Sequence, residues 1–245
     1  MVVLGIDFGG SGIKGGLVDI QTGTLATSRY RLPTPEEAKP EDCALVIEEI
    51  RKYFNYSGPI GMGFPAVVLH GVCQSAANIH ETWVGTDVAK LVSDATRNPT
   101  FVLNDADAAG IAEMTFGAGQ GRKGVVLILT VGTGIGSAIF TDGHLVPNTE
   151  FGHLMIRGKD AERRASDAAR KRKGLSWEEW AGRFQEYLDV MEYLFWPDLI
   201  IIGGGVSSKT ENFFSYLNTR ADMVPAQLLN EAGIIGAAMY AKQSS

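Results

Sequence analysis

Asn104-Asp105-Ala106-Asp107 follows the apolar run Phe101-Val102-Leu103, a pattern that delivers an amide and a carboxylate to the C-terminal end of a strand. A carboxylate so placed is suited to take the proton of an alcohol as its oxygen attacks phosphorus. The amide beside it both donates to and accepts from hydroxyl groups. We therefore read Asp105 as a general base and Asn104 as a partner for substrate hydroxyls. The competing role for Asp105 is to cap the helix that follows, and Asp107 fits a helix-start role alone.

Three glycine-rich turns also close apolar runs: Gly9-Gly10-Ser11-Gly12, Gly132-Thr133-Gly134-Ile135-Gly136 and Gly203-Gly204-Gly205. Successive backbone N–H groups in a tight turn make an anion site, and glycine offers positive φ and close approach. A lone turn of this kind is more often steric. Three at strand ends, with Asp7 beside the first, favour phosphate handling. GxxxxGK[ST] is absent, and the first two turns lead into strand patterns, which argues against a dinucleotide fingerprint. Asp7 either hydrogen-bonds its turn or holds Mg²⁺, an ion that needs few carboxylates beside phosphate oxygens. Lys14 is either a phosphate partner or an exposed strand residue. In Glu150-Phe151-Gly152-His153 a Glu and a His three apart on a loop can grip neighbouring hydroxyls, as on a sugar. The run Arg163, Arg164, Arg170, Lys171, Arg172 and Lys173 reads equally as a solvated helix face or as a track for a polyanion.

Hydrophobic spacing sets the elements that must carry these residues. It predicts strands over 2–6, 15–20, 60–64, 100–103, 124–131, 137–141 and 199–202. It predicts helices over 41–53, 87–96, 106–116, 161–172, 176–195 and 230–242, the first with Ala44, Leu45, Ile47, Ile50 and Phe54 on one face. Residues 70–86 read as irregular. Placing Val2 on Val125 without gaps lays one strand–turn–strand segment over another and Asp19 over Asp142. The match predicts two similar lobes, 1–104 and 105–229, with the closing helix packed on the first.

The chain has 245 residues, 45% hydrophobic and 20% charged, a composition that excludes disorder. Its net charge of −6 argues against a nucleic-acid partner. Two cysteines without ligand spacing give no disulfide framework. No signal peptide or membrane-length apolar run is visible, so a cytoplasmic protein without membrane contact is expected.

At Asp7–Ser11, Asn104–Asp107 and Glu150–His153, and over 78–87, 146–153, 158–162, 175–181 and 224–238, the chain resembles the ROK family of sugar kinases, most of all its polyphosphate-using glucose kinases. The resemblance covers nearly the whole chain. It implies an α/β, actin-like, ribonuclease-H-like fold of two lobes with a central cleft, and a homodimer. It implies Asp105 as the base, with Asn78, Asn104, Glu150, His153 and Glu162 on glucose and Gly63 and Pro65 lining the pocket. Asp7, Gly9, Gly10, Ser11, Gly12, Lys14, Thr133, Gly134 and Gly204 are expected on the phosphoryl donor, polyphosphate or ATP, with Mg²⁺. Many members carry a zinc-binding cysteine motif after the Glu…His segment. It is missing here, so no zinc is expected, and Glu162 stands where that motif would supply a sugar-binding Glu. Other readings are an ATP-dependent kinase of mannose or an N-acetylhexosamine, and a non-catalytic sugar sensor.

Overall fold

A computed structural model describes every residue except Asn78, so that expected sugar ligand lies outside the described residues. The chain forms two compact units, Met1–Ala112 with Glu231–Ser245, and Glu113–Asn230.

In the first unit β1 (Val2–Gly9) and β2 (Gly12–Asp19) form an antiparallel hairpin, extended by β3 (Thr24–Leu25) and β4 (Tyr30–Leu32). The helix α1 (Pro40–Tyr53) leads to β5 (Ile60–Phe64), which runs parallel to β1. A small hairpin, β6 (Val68–Leu69) and β7 (Val72–Cys73), precedes α2 (Val88–Thr96), where Asp87 accepts the Lys90 N–H as N-cap. β8 (Thr100–Asn104) runs parallel to β5, and α3 (Asp105–Phe116) follows directly. Phe8 packs edge to face on Phe64 and Trp83, which tilt against each other, with Ile47 and Ile50 of α1 in the same core. Leu45, expected on that buried face, is 61% exposed. It sits one residue off the line of Ala44, Ile47 and Ile50, and one residue turns a helix by about 100°. Cys43 is free and buried, which pushes its thiol up to about 12.

The second unit repeats the plan. β9 (Val125–Val131) and β10 (Ile135–Thr141) form the hairpin, β11 (His144–Val146) extends it, and β12 (Met155–Ile156) pairs with β13 (Lys159–Asp160). The helix expected over 161–172 is broken into α4 (Ala161–Ala165) and α5 (Asp167–Lys173), because Ser166 is extended and caps α5 by accepting the Ala169 N–H. A capping box of Ser176 and Glu179 starts α6 (Trp177–Phe195). β14 (Leu199–Gly203) and β15 (Asp222–Pro225) add parallel strands beside β9. Trp180, Phe184, Tyr187 and Phe213 fill this core.

The gapless repeat puts Gly12 on Ile135, and each opens the second strand of its hairpin. The turns differ by one residue: Gly9 pairs with Gly12, whereas Val131 pairs with Ile135. The last element, α7 (Ala232–Ser244), packs on β1 and β5 of the first unit. It lies so close that a Cβ at Gly61 would overlap the Ala237 carbonyl. The division between units falls after Ala112, inside α3. Ala108, early in α3, packs against Gly236 of α7 and so belongs with the first sheet.

Candidate active site

In the first unit the parallel strands β1, β5 and β8 end together. Asp7 pairs in register with Gly63, and Gly63 with Leu103, one residue before Asn104. Gly63 lets the backbones close up: a Cβ there would stand 3.5 Å from the Asp105 Cα and 3.3 Å from the Ala108 Cβ. Pro65 follows at the half-buried strand end. Asn104 is buried, and its side-chain oxygen accepts the N–H groups of Ala106 at 2.8 Å and Asp107 at 3.2 Å. Its amide nitrogen donates to the Ala66 carbonyl. The helix start is therefore capped by Asn104, the role that competed for Asp105. Asp105 is only half-buried, and its Oδ1 accepts the Ala106 N–H at 2.8 Å. Asp107 is buried in the first turn of α3.

Beside this row, Lys14 Nζ donates to Asp7 Oδ2 at 2.8 Å, with both side chains mostly covered. The turn Gly10-Ser11 joins β1 to β2, and Thr34 Oγ1 donates to the Gly9 carbonyl at 2.6 Å. Positive φ was the expected reason for glycine in the hairpin turns. It is not found at Gly9, Gly10, Gly12, Gly132, Gly134 or Gly136. Space is the reason at Gly9, where a Cβ would lie 2.9 Å from the Gly12 carbonyl oxygen. Gly204 does take positive φ, 75°, where β14 ends against Val131.

In the second unit, Glu150, His153 and Glu162 gather near the Gly132–Gly136 turn. His153 Nε2 lies 3.6 Å from Glu150 Oε2, and its Nδ1 lies 3.5 Å from Asp160 Oδ2. Glu162 Oε2 accepts the Ile135 N–H at 3.3 Å. Burial lifts the Glu150 carboxyl above its ordinary 4.5; His153 pulls it down and the Glu162 charge adds to the rise. Ser137 and Asp160 were not singled out by sequence. Ser137 Oγ accepts the Phe151 N–H and donates to the Thr149 carbonyl, which sets the Glu150 loop on β10. Their signal is only tertiary, since each partner is several residues away in a loop. Thr133 is exposed at the turn, and Gly134 follows it.

The basic run separates into two kinds of residue. Asp167 accepts from Arg170 Nε at 2.9 Å and Lys171 Nζ at 2.8 Å, and Arg164 pairs with Glu186 at 2.5 Å. Burial opposes the Asp167 charge, but the two cationic hydrogen bonds outweigh it and hold the carboxyl below its usual range. Arg170 also stacks on Trp177. Arg172 and Lys173 are exposed, and Lys173 is lowered by desolvation and then by Arg183, Lys159, Arg172 and Arg164.

Among the described residues no three His, Cys, Asp or Glu side chains are grouped to hold a metal ion. Mg²⁺ does not need such a group when phosphate oxygens complete its shell; at Asp7 a cation would share the carboxylate with Lys14, whose Nζ bonds Oδ2. No described helix is long and apolar enough to cross a membrane.

Two α/β units led by the same hairpin, each with glycine turns at its strand ends, define an actin-like sugar-kinase fold, and solved structures of that class match over the whole chain. The chain belongs to the ROK family, whose model matches residues 3–165. It is 46% identical over 236 residues to the polyphosphate glucokinase of Mycobacterium tuberculosis, which spans 96% of this chain and 89% of the relative. The inorganic polyphosphate/ATP-glucomannokinase of Arthrobacter sp. strain KM matches with a TM-score of 0.97 and 46% identity, covering 100% of this chain and 99% of that one. A ROK glucokinase from Streptomyces griseus, solved with glucose and AMPPNP, matches with a TM-score of 0.83 and 25% identity over 99% and 100% of the two chains.

Proposed function

We propose that this chain is a glucokinase that transfers a phosphoryl group from inorganic polyphosphate, or from ATP, to the 6-hydroxyl of glucose. The 46% identity to a polyphosphate glucokinase over nearly the whole chain supports the reaction. The placement of Asp105 carries the chemistry: it stands at the end of β8, and the helix cap beside it is supplied by Asn104.

Asp105 takes the proton of the 6-hydroxyl as that oxygen bonds to the donor's terminal phosphorus and the bond to the leaving oxygen breaks. The Ala106 N–H orients its carboxylate. Glu150, His153 and Glu162 accept from or donate to the sugar hydroxyls, with Asp160 setting the His153 ring. Asn104 binds a sugar hydroxyl beside Asp105, and Gly63 and Pro65 line the pocket, Gly63 by letting Asp105 pack close to β5. The expected sugar contact of Asn78 belongs to the same proposal. Gly9, Gly10, Ser11, Gly12, Thr133, Gly134 and Gly204 receive donor phosphates on backbone N–H groups, and Lys14, whose Nζ bonds Asp7, reaches them from the Asp7 side. Mg²⁺ bound through Asp7 would neutralise charge on the transferring group. A cytoplasmic homodimer is part of the proposal and is read by light scattering of the purified protein.

A coupled assay with glucose and Mg²⁺ compares polyphosphate and ATP as donors. Asp105→Asn should keep glucose affinity and lower turnover by about 10²–10⁴-fold, the usual worth of a positioned base. Near-normal turnover in that variant refutes the assignment. Mannose is a second acceptor favoured by the match to a glucomannokinase, and the same assay reads it.

A further inference from the structure

Arg31 was not singled out by its sequence context, and it stands against the first glycine turn. In the β2–β4 register it pairs with Lys14, and Lys14 pairs with Asp7 across β1–β2. Directly opposed residues share a sheet face, so Asp7, Lys14 and Arg31 form one lateral row, and Gly12, two residues before Lys14, lies on the same face.

The two cations of the row differ. Lys14 is neutralised by Asp7 at 2.8 Å. Arg31 Nη2 donates to the Ser11 carbonyl at 2.6 Å, and among the described residues no carboxylate pairs with it. Its guanidinium lies over Gly12 so closely that a Cβ there would run into Nε, Cζ and Nη2. The missing side chain at Gly12 thus admits a planar cation to the turn. The strand that carries it is pinned on both sides. Tyr30 stacks on Tyr53 with ring centroids 3.8 Å apart, and Thr34 donates to the Gly9 carbonyl. The bland role, satisfying the Ser11 carbonyl, is one that water performs at an exposed turn. A guanidinium has five N–H groups in a fork that matches phosphate oxygens, and one bond to Ser11 leaves most of that fork for a ligand.

We infer that Arg31 binds the phosphoryl donor, its guanidinium taking phosphate oxygens at the Gly9–Gly12 turn. This rests on the donor reading of that turn proposed above. It adds a side-chain charge to a site otherwise made of backbone N–H groups, and that charge favours the most highly charged donors.

The test compares wild type with Arg31→Gln and Arg31→Lys. Michaelis constants are measured for polyphosphate, ATP and glucose. Tripolyphosphate binding is measured by calorimetry without glucose, and thermal midpoints are recorded. Loss of a charged hydrogen bond predicts a donor KM and a tripolyphosphate Kd raised about tenfold in Arg31→Gln, with glucose KM and the thermal midpoint nearly unchanged. Arg31→Lys should recover part of the loss, because it keeps the charge without the fork. Gly12→Ala, which displaces the guanidinium, should reproduce the Arg31→Gln donor defect. An active enzyme in which Arg31→Gln keeps both donor constants overturns the inference and leaves the kinase reading standing. So does an equal rise in donor and glucose KM with a lowered thermal midpoint, which makes Arg31 structural. A wild type that binds tripolyphosphate through Arg31 yet phosphorylates no hexose upholds the inference and sinks the kinase reading. A wild type that takes no tripolyphosphate overturns the inference.

Discussion

At the residue scale, the assignments turn on which polar atoms the fold has already engaged. Asn104 gives its oxygen to two helix N–H groups at the start of α3, and Asp105 shares one of them, that of Ala106. Glu150 carries a testable cost. Its carboxyl is lifted above 4.5 chiefly by burial, so the folded state favours its neutral form. The sign follows: Glu150 adds stability below its unfolded pKa, and that contribution is lost as pH rises through the folded one. Glu150→Gln should therefore melt no lower than wild type at pH 7 while binding glucose about tenfold more weakly, the loss expected for a charged acceptor. In wild type, glucose affinity should begin to fall in acid while the pH is still above 4.5, as the acceptor becomes protonated. Melting curves and glucose calorimetry across pH check both. A lower thermal midpoint for Glu150→Gln at pH 7 contradicts the argument.

At the element scale, helices α5 and α7 show opposite uses of close packing. In α5 the acid at its first position gathers two of the four terminal cations, so the basic run is not one surface. Reversing Arg170 and Lys171 to Glu should cost about 3 kcal/mol, because Asp167 is nearly buried and loses its partners. Reversing Arg172 and Lys173 should leave urea unfolding almost unchanged and weaken polyphosphate use more than glucose affinity. Equal destabilisation by the two pairs would defeat the distinction. In α7 the contact is backbone to backbone: Gly5 faces the Ile234 carbonyl and Gly61 the Ala237 carbonyl. A methyl at Gly61 meets a rigid helix rather than a movable side chain. Gly61→Ala should thus lose about 1–3 kcal/mol in urea unfolding, the usual cost of overpacking. A neutral result would mean that α7 can slide.

At the scale of the whole molecule, the first unit is discontinuous: residues 1–112 are completed by 231–245. Its sheet cannot bury the face under α7 until residues 231–245 are in place, so the unit is completed by a segment more than a hundred residues further along the chain. Chain ends ordinarily fray. Here the amides of α7 should exchange with hydrogen at the rate of β1 and β5, as parts of one cooperative unit. Hydrogen exchange on the intact protein reads this, and fast exchange confined to α7 would contradict it. The two hairpin-led sheets follow the internal repeat, and their turns differ by one residue and in what packs on them. The first admits Arg31 at Gly12, and the second is tied by Glu162 to Ile135.

The long strands and helices, the glycine turns at strand ends and the carboxylate after β8 were legible in the residues themselves, whereas the two- to four-residue strands, such as β7 within the stretch read as irregular, were not. The legible features follow from local periodicity and from turn chemistry over a few positions. The break at Ser166-Asp167 was missed, although its signal is equally local, a cap residue inside an otherwise helical run. Other features needed the folded chain. Arg31 meets Ser11 twenty residues away in sequence, Asn104 reaches Ala66, and α7 returns from the chain end to lie on Gly5 and Gly61. Which cations stay available to an anion depended on partners brought up by packing, as with Lys14 on Asp7 and Arg164 on Glu186. Hydrophobic spacing dictates which face of an element is buried, but charge pairing and backbone contact depend on what that face is buried against.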